Sequence, residues 1–350
     1  MTVRSNSGRS RRRLKPCRAP RIEGCPERSG RALSPGVRPV DILRPNRNKG
    51  NAMPSQEMRA TIEAMRAQGS FVDANADLAT MRQGMEEAFG LTLVPEDVTH
   101  SDFDAGGVTA RHVSAPGVRN DRGVLYFHGG GYVMGSLDTH TELMGRIARA
   151  CRAPVLGIDY RLAPEHPYPA AVEDAVASYD RLQANGIEPK QIVIAGDSAG
   201  GGLTLACLLA LKAQGKPQPA GAVLLSPWTD LTGSGASVKT RAEADPMVSP
   251  EVLEPMAALY RGDVDASEPA ISPLFGSLEG LAPLLVQVGD AEVLLDDSTR
   301  LAERAEAAGV DIELQVFDGA FHVFQSMPDL PESAEALASI GAFFDRVTGS

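Results

Sequence analysis

Ser198 stands at the centre of Gly196-Asp197-Ser198-Ala199-Gly200. This is a G-x-S-x-G spacing, in which flanking glycines leave room for a sharp turn and hold the middle side chain at its exposed apex. A serine hydroxyl is a weak nucleophile unless a base takes its proton and donors stabilise the oxyanion formed on attacking a carbonyl. The amide of Ala199 supplies one such donor, because the first N–H groups of a helix lack intrahelical acceptors and the helix dipole favours negative charge there. Upstream, His128-Gly129-Gly130-Gly131-Tyr132 closes an apolar segment with three glycines. Their N–H groups can reach a substrate oxygen with no side chain in the way. A phosphate-binding turn is the competing use of such glycines. The chain lacks both G-x-x-x-x-G-K followed by Ser or Thr and a G-x-G-x-x-G that opens a helix in a βαβ context. His128, preceding the glycines, is read as a brace for that loop. Asp197 is read as a hydrogen-bond partner of neighbouring loops rather than a second nucleophile.

Six histidines are candidates for the base: His100, His112, His128, His140, His166 and His322. His322 follows the last strand-like segment, and loops beyond the C-terminal ends of parallel strands are where such sheets keep their active sites. A carboxylate that fixes the imidazole tautomer should lie between serine and histidine in chain order. The segment Gly289-Asp290-Ala291-Glu292 offers two, Asp290 and Glu292. No paired-histidine motif such as H-E-x-x-H is present, so no metal is expected, and acyl transfer at a serine needs no cofactor.

These residues need a scaffold, and the hydrophobic periods provide one. Apolar residues at helical spacing between 56 and 89 predict two helices before the main run of strands. Strand-like segments follow at 108–114, 123–127, 154–159, 191–195, 221–225, 284–288 and 312–317, with a further candidate near 98–103. From residue 123 onward they alternate with helical patterns at 139–151, 170–184, 201–214, 293–308 and 332–347. That alternation belongs to a mostly parallel α/β sheet with helices on both faces. Residues 232–273 interrupt it with a Ser-, Pro- and acid-rich stretch holding one short helical pattern at 250–260. This insertion is expected to fold over the site together with the N-terminal helices.

At 350 residues and 43% hydrophobic composition the chain can bury a large core. Its net charge of −11 is uneven: residues 1–52 carry 14 Lys/Arg against 3 Asp/Glu, leaving 20 against 42 for residues 53–350. An acidic body offers no footprint for nucleic acid. No stretch is apolar enough to span a membrane. Residues 1–52 lack the apolar run of a secretory signal, although their Arg-rich, acid-poor composition is similar to that of organelle transit peptides. They are read as a disordered basic tail or a spurious extension upstream of Met53. Cys151 and Cys207 fall in apolar helical patterns as reduced core thiols, which points to the cytoplasm.

Three motifs together, H-G-G-G at 128–131, D-Y-R-L-A-P-E at 159–165 and G-D-S-A-G at 196–200, are similar to those of the hormone-sensitive lipase family of α/β-hydrolase esterases. The resemblance covers roughly residues 53–348. It implies an α/β-hydrolase fold with an eight-stranded sheet and a helical cap, here about 53–92 and part of 232–273 of a domain spanning 53–350. It further implies Ser198 as nucleophile, His322 as base and the amides of Gly130, Gly131 and Ala199 as oxyanion hole. The family's acid motif D-P-L-x-D is matched by Glu292-Val293-Leu294-Leu295-Asp296, with Glu for the first Asp and no proline, so Glu292 is the expected acid and Asp290 its rival. Asp159, Tyr160 and Glu165 are read as supports for the oxyanion loop. The expected activity is hydrolysis of short-chain esters by a serine carboxylesterase acting on a small-molecule substrate as a monomer or homodimer. An amidase or other acyl hydrolase is the alternative. A non-catalytic small-molecule receptor on the same fold is disfavoured by the retained serine, carboxylate and histidine.

Overall fold

The computed structural model describes residues 53–69, 76–90 and 92–349. The expectation for residues 1–52 lies outside the described residues. Helices α1 (Gln56–Gln68) and α2 (Leu78–Phe89) precede the strands β1 (Thr99–Asp104), β2 (Thr109–Ser114) and β3 (Gly123–Phe127). There follow α3 (Leu137–Cys151), β4 (Val155–Ile158), α4 (Ala170–Ala184), β5 (Ile192–Asp197), α5 (Ala199–Ala213) and β6 (Gly221–Leu225). The chain continues through α6 (Ser237–Thr240), α7 (Pro250–Arg261), β7 (Leu284–Gly289), α8 (Leu295–Ala307), β8 (Ile312–Phe317) and α9 (Pro331–Thr348).

The strands form one eight-stranded sheet in the order β1-β2-β4-β3-β5-β6-β7-β8. Strand β2 runs antiparallel to β1 and β4, and every other pairing is parallel. The central strands are apolar at consecutive positions because both faces are covered, as a parallel sheet with crossover helices requires. Their period of two sends Leu125 and Phe127 of β3, Ile192 and Ile194 of β5 and Leu224 of β6 into one core with Tyr179 of α4 and Leu203 of α5. The alternate residues Val124, Tyr126, Val193 and Val223 enter a second core with Ile147 of α3 and Phe344 of α9.

A third apolar cluster joins the N-terminal segment to the end of the sheet. Met58 of α1 is fully buried against Phe317, Phe321 and Phe324, the residues that flank His322. The Ser55 side chain caps α1 by accepting from the Met58 amide at 2.9 Å. Ser55 also donates from its amide to Glu332 Oε1 at 2.8 Å and from its hydroxyl to Glu332 Oε2 at 3.0 Å. Ser55 therefore pins the segment leading into α1 to the start of α9. Arg82 of α2 makes the corresponding link to the other side of the site. Its Nε donates to Val133 O at 2.7 Å, Nη2 donates to Ala163 O at 3.0 Å, and both terminal nitrogens engage Glu165. The Glu165 side chain is about half exposed, so the ion pair contributes at most about 1 kcal/mol. The two carbonyl contacts tie α2 to the glycine loop at Val133 and to the segment after β4 at Ala163.

Candidate active site

The turn between β5 and α5 carries Ser198 at φ 53°, ψ −120°, outside the regions that side chains prefer. Such a conformation costs on the order of 1–3 kcal/mol and persists only where its surroundings over-determine it. Here the Ser198 amide donates to Leu225 O at 2.8 Å, and its carbonyl accepts from Gly202 at 3.0 Å and Trp228 at 2.9 Å. The turn is tight enough that a Cβ on Gly200 would lie 2.0 Å from Phe127 O, which explains the second glycine of the motif.

His322 reaches the turn from the loop after β8. Its Nε2 lies 2.9 Å from Ser198 Oγ, and its Nδ1 lies 2.8 Å from Glu292 Oε2. Glu292 is wholly buried and comes from the loop after β7. Its second oxygen accepts from the Gly289 amide at 2.6 Å and from Ser226 Oγ at 2.8 Å. Asp290 faces elsewhere: its Oδ1 accepts from the Gly319 amide at 2.6 Å, bracing the β7 loop against the β8 loop. Burial pulls the His322 pKa down, but the hydrogen bond and charge of Glu292, with Asp245 and Asp197 farther off, leave it raised. Asp245 is itself buried and accepts from the amides of Met247, Val248 and Val293 at 2.9, 3.1 and 3.0 Å. It thereby fastens the insertion to the residue after Glu292.

The glycine loop after β3 borders the same space. Gly130 takes φ 115°, where a side chain is strained and its Cβ would meet Met134 O at 2.2 Å. Gly131, Ser198 and His322 line the cavity with it. Beneath the loop, buried Asp197 accepts from Tyr126 at 2.7 Å and the Gly129 amide at 3.1 Å, and it lies 3.3 Å from His140 Nε2. Burial lowers the His140 pKa, but the Asp197 charge leaves it raised overall. His128 stacks on Tyr160 with ring centroids 4.4 Å apart, and the Tyr160 hydroxyl donates to His128 O at 2.8 Å. Burial and the neighbouring His140 push the His128 pKa down to about 4, which keeps its imidazole neutral beside the loop. Asp159 is partly buried, and its pKa is raised by that burial.

The cavity above Ser198 measures about 90 Å³. Its walls include Met85 and Phe89 from α2, Met247 and Val248 from the insertion, and Val252 and Met256 from α7. Among the described residues no group of three or more His, Cys, Asp or Glu is placed to hold a metal ion.

A family profile for the alpha/beta hydrolase fold matches residues 124–326. The chain is 43% identical over 270 residues to an acetyl-hydrolase of Streptomyces hygroscopicus, covering 75% of this chain and 87% of that protein. It is 42% identical over 222 residues to an esterase of Acinetobacter venetianus, covering 63% and 73%. The solved structure of an esterase from the bacterial hormone-sensitive lipase family superposes with a TM-score of 0.81 at 45% identity, covering 85% of this chain and 100% of that one.

The chain belongs to the hormone-sensitive lipase family of α/β hydrolases. For this hormone-sensitive lipase family member the structure brings together Ser198, His322 and Glu292, with Gly130 and Gly131 on the wall of the same cavity and Ala199 at the first position of α5. It sets Asp290 aside on the Gly319 amide. Sequence reasoning did not single out Ser226 or Asp245, whose partners lie 66 and 48 residues away, nor Arg82 at 51 residues from Val133. No local pattern marks such contacts. The sequence offers His140 only as a candidate base, and its position in the first turn of α3 gives no sign of its pairing with Asp197.

Proposed function

We propose that this protein is a serine carboxylesterase that hydrolyses short-chain carboxylic esters through an acyl-enzyme intermediate. The observation that carries the reading is the continuous line of hydrogen-bond distances from Ser198 Oγ through His322 to Glu292. Ser198 Oγ attacks the ester carbonyl as His322 Nε2 takes its proton, and Glu292 stabilises the resulting imidazolium. The carbonyl oxygen becomes an oxyanion, for which the amides of Gly130, Gly131 and Ala199 are the assigned donors. Collapse of the tetrahedral species breaks the ester bond, and the imidazolium gives its proton to the departing alkoxide. A water deprotonated by His322 then attacks the acyl carbon, the acid leaves, and Ser198 regains its proton.

The small apolar cavity favours short acyl groups. We assign its roof, formed by α2, the stretch around Met247 and α7, as the cap. The names of the relatives, esterase and acetyl-hydrolase, support the same substrate class. A panel of chromogenic esters from acetate to palmitate, with matching amides, tests it. Hydrolysis is expected to peak at the short esters and to be far slower on amides; a maximum at palmitate or on the amides would remove the reading.

The pH profile provides a second check. His322 must be neutral to accept the Ser198 proton, and its pKa is raised above the ordinary histidine value of about 6.5. The acid limb of kcat/KM should therefore have its midpoint above about 6.5, with activity lost as pH falls through it. Glu292→Gln should move that midpoint downward, because Glu292 is the main group that raises it.

Among the described residues no helix is long and apolar enough to cross a membrane. The buried, unpaired thiols of Cys151 and Cys207 support a reducing compartment, and we place the protein in the cytoplasm. Because Ser55 anchors the start of α1 to Glu332, a protein begun at Met53 is expected to keep its Tm and its kcat/KM. A fall of several degrees in Tm on that truncation would assign residues 1–52 to the folded unit.

A further inference from the structure

Ser226 is the first residue after β6, fully buried, and it takes φ 44° although it is not glycine. Its amide donates to Gln287 O at 2.7 Å, which fixes its backbone to the neighbouring strand. Its hydroxyl is used twice: Oγ donates to Glu292 Oε1 at 2.8 Å and accepts from the Val323 amide at 3.0 Å. Val323 follows His322 directly and takes φ 50°, a left-handed conformation that is strained for a β-branched residue. One hydroxyl thus joins the oxygen of Glu292 that does not face His322 to the strained backbone next to His322.

We infer that Ser226 is a positioning residue of the catalytic relay, an inference that rests on the esterase reading above. A hydrogen bond to an ionised carboxylate is among the stronger ones available to a buried hydroxyl. The Val323 amide is buried, so removing its acceptor leaves a donor unsatisfied in a segment already strained. Both effects fall on the distance and orientation between Glu292 and the imidazole, where small displacements cost rate. Ser226 does not line the cavity, so substrate binding is untouched by this role.

The test is a double-mutant cycle on a short chromogenic ester, with Tm measured for every variant. Ser226→Ala should lower kcat about 10- to 100-fold, the range set by one lost hydrogen bond to a charged group, and leave KM within about 2-fold. In a Glu292→Gln background the same substitution should cost clearly less, because the charge it serves is already gone and only the Val323 contact remains to be lost. If Ser226→Ala fails to fold, Ser226→Gly removes the hydroxyl in a residue that accepts φ 44° without strain, and the same values are expected. Equal losses in both backgrounds, or a loss expressed in KM alone, would assign Ser226 to stability only. Full kcat in the Ala and Gly variants would remove the inference outright. If instead Ser198→Ala retained turnover, the esterase reading itself would fail; inactive Ser198 and Glu292 variants beside fully active Ser226 variants would leave that reading standing and overturn only this one.

Discussion

Ser198→Ala is expected to lower kcat on the order of 10⁶-fold, the scale on which serine triads lose turnover when the nucleophile is removed. The substitution deletes one oxygen and keeps the backbone. Alanine experiences the same strain as serine at φ 53°, and the bonds to Leu225, Gly202 and Trp228 are all made by the main chain. Tm should therefore stay within a few degrees of the wild type, and circular dichroism should be unchanged. The combination matters, because an inactive but unfolded variant would say nothing about chemistry. Turnover close to wild type in a folded Ser198→Ala protein would transfer the nucleophile's role to another group.

The second large effect concerns the acid. Glu292→Gln should reduce kcat on the order of 10⁴-fold, because an amide holds the imidazole in the wrong tautomer and offers no charge to the imidazolium. Asp290→Asn should cost far less. Its carboxylate accepts from the Gly319 amide, and an asparagine carbonyl can still accept that bond. Its effect should fall on loop stability, read as a small drop in Tm, rather than on kcat. The reverse order of activities would move the acid to Asp290 and undo the alignment of Glu292 with the family motif.

Much of the architecture was legible because parallel strands buried on both faces announce themselves as short apolar runs between helical periods. The strands at 123–127 and 221–225, buried at every position, have the observed bounds, as does the half-buried edge strand at 312–317, which shows instead an alternation of apolar and polar residues. The helical pattern begins only at residue 201, whereas α5 starts at Ala199. A run of three glycines reads as a turn in sequence, whereas in the fold Gly200, Gly201 and Gly202 are buried in the helix's first turn. The four-residue α6 has too few positions to show any period. At the site, Ser198, Gly130 and Gly131 were visible through local spacing, since a tight turn and a glycine loop are properties of neighbouring residues. His322 and the two candidate acids were visible through chain order relative to strands. Choosing between Asp290 and Glu292 required the motif, because two carboxylates on one loop look alike until side-chain direction is known. Ser226, Asp245 and the His140–Asp197 pair act on partners 48 to 97 residues away, and only the folded chain brings them there.

The central claim, that hydrolysis proceeds through an acyl group on Ser198, is tested most directly by catching that group. The enzyme would be mixed with p-nitrophenyl acetate, quenched in acid during turnover, and examined by intact mass and peptide mapping; Glu292→Gln and Ser198→Ala would be run in parallel. One acetyl group per chain on the peptide containing Ser198, formed with a matching burst of nitrophenol and absent from Ser198→Ala, is the predicted result. An acetyl group on a different residue that forms and decays at the turnover rate, with Ser198 unmodified throughout, would contradict it.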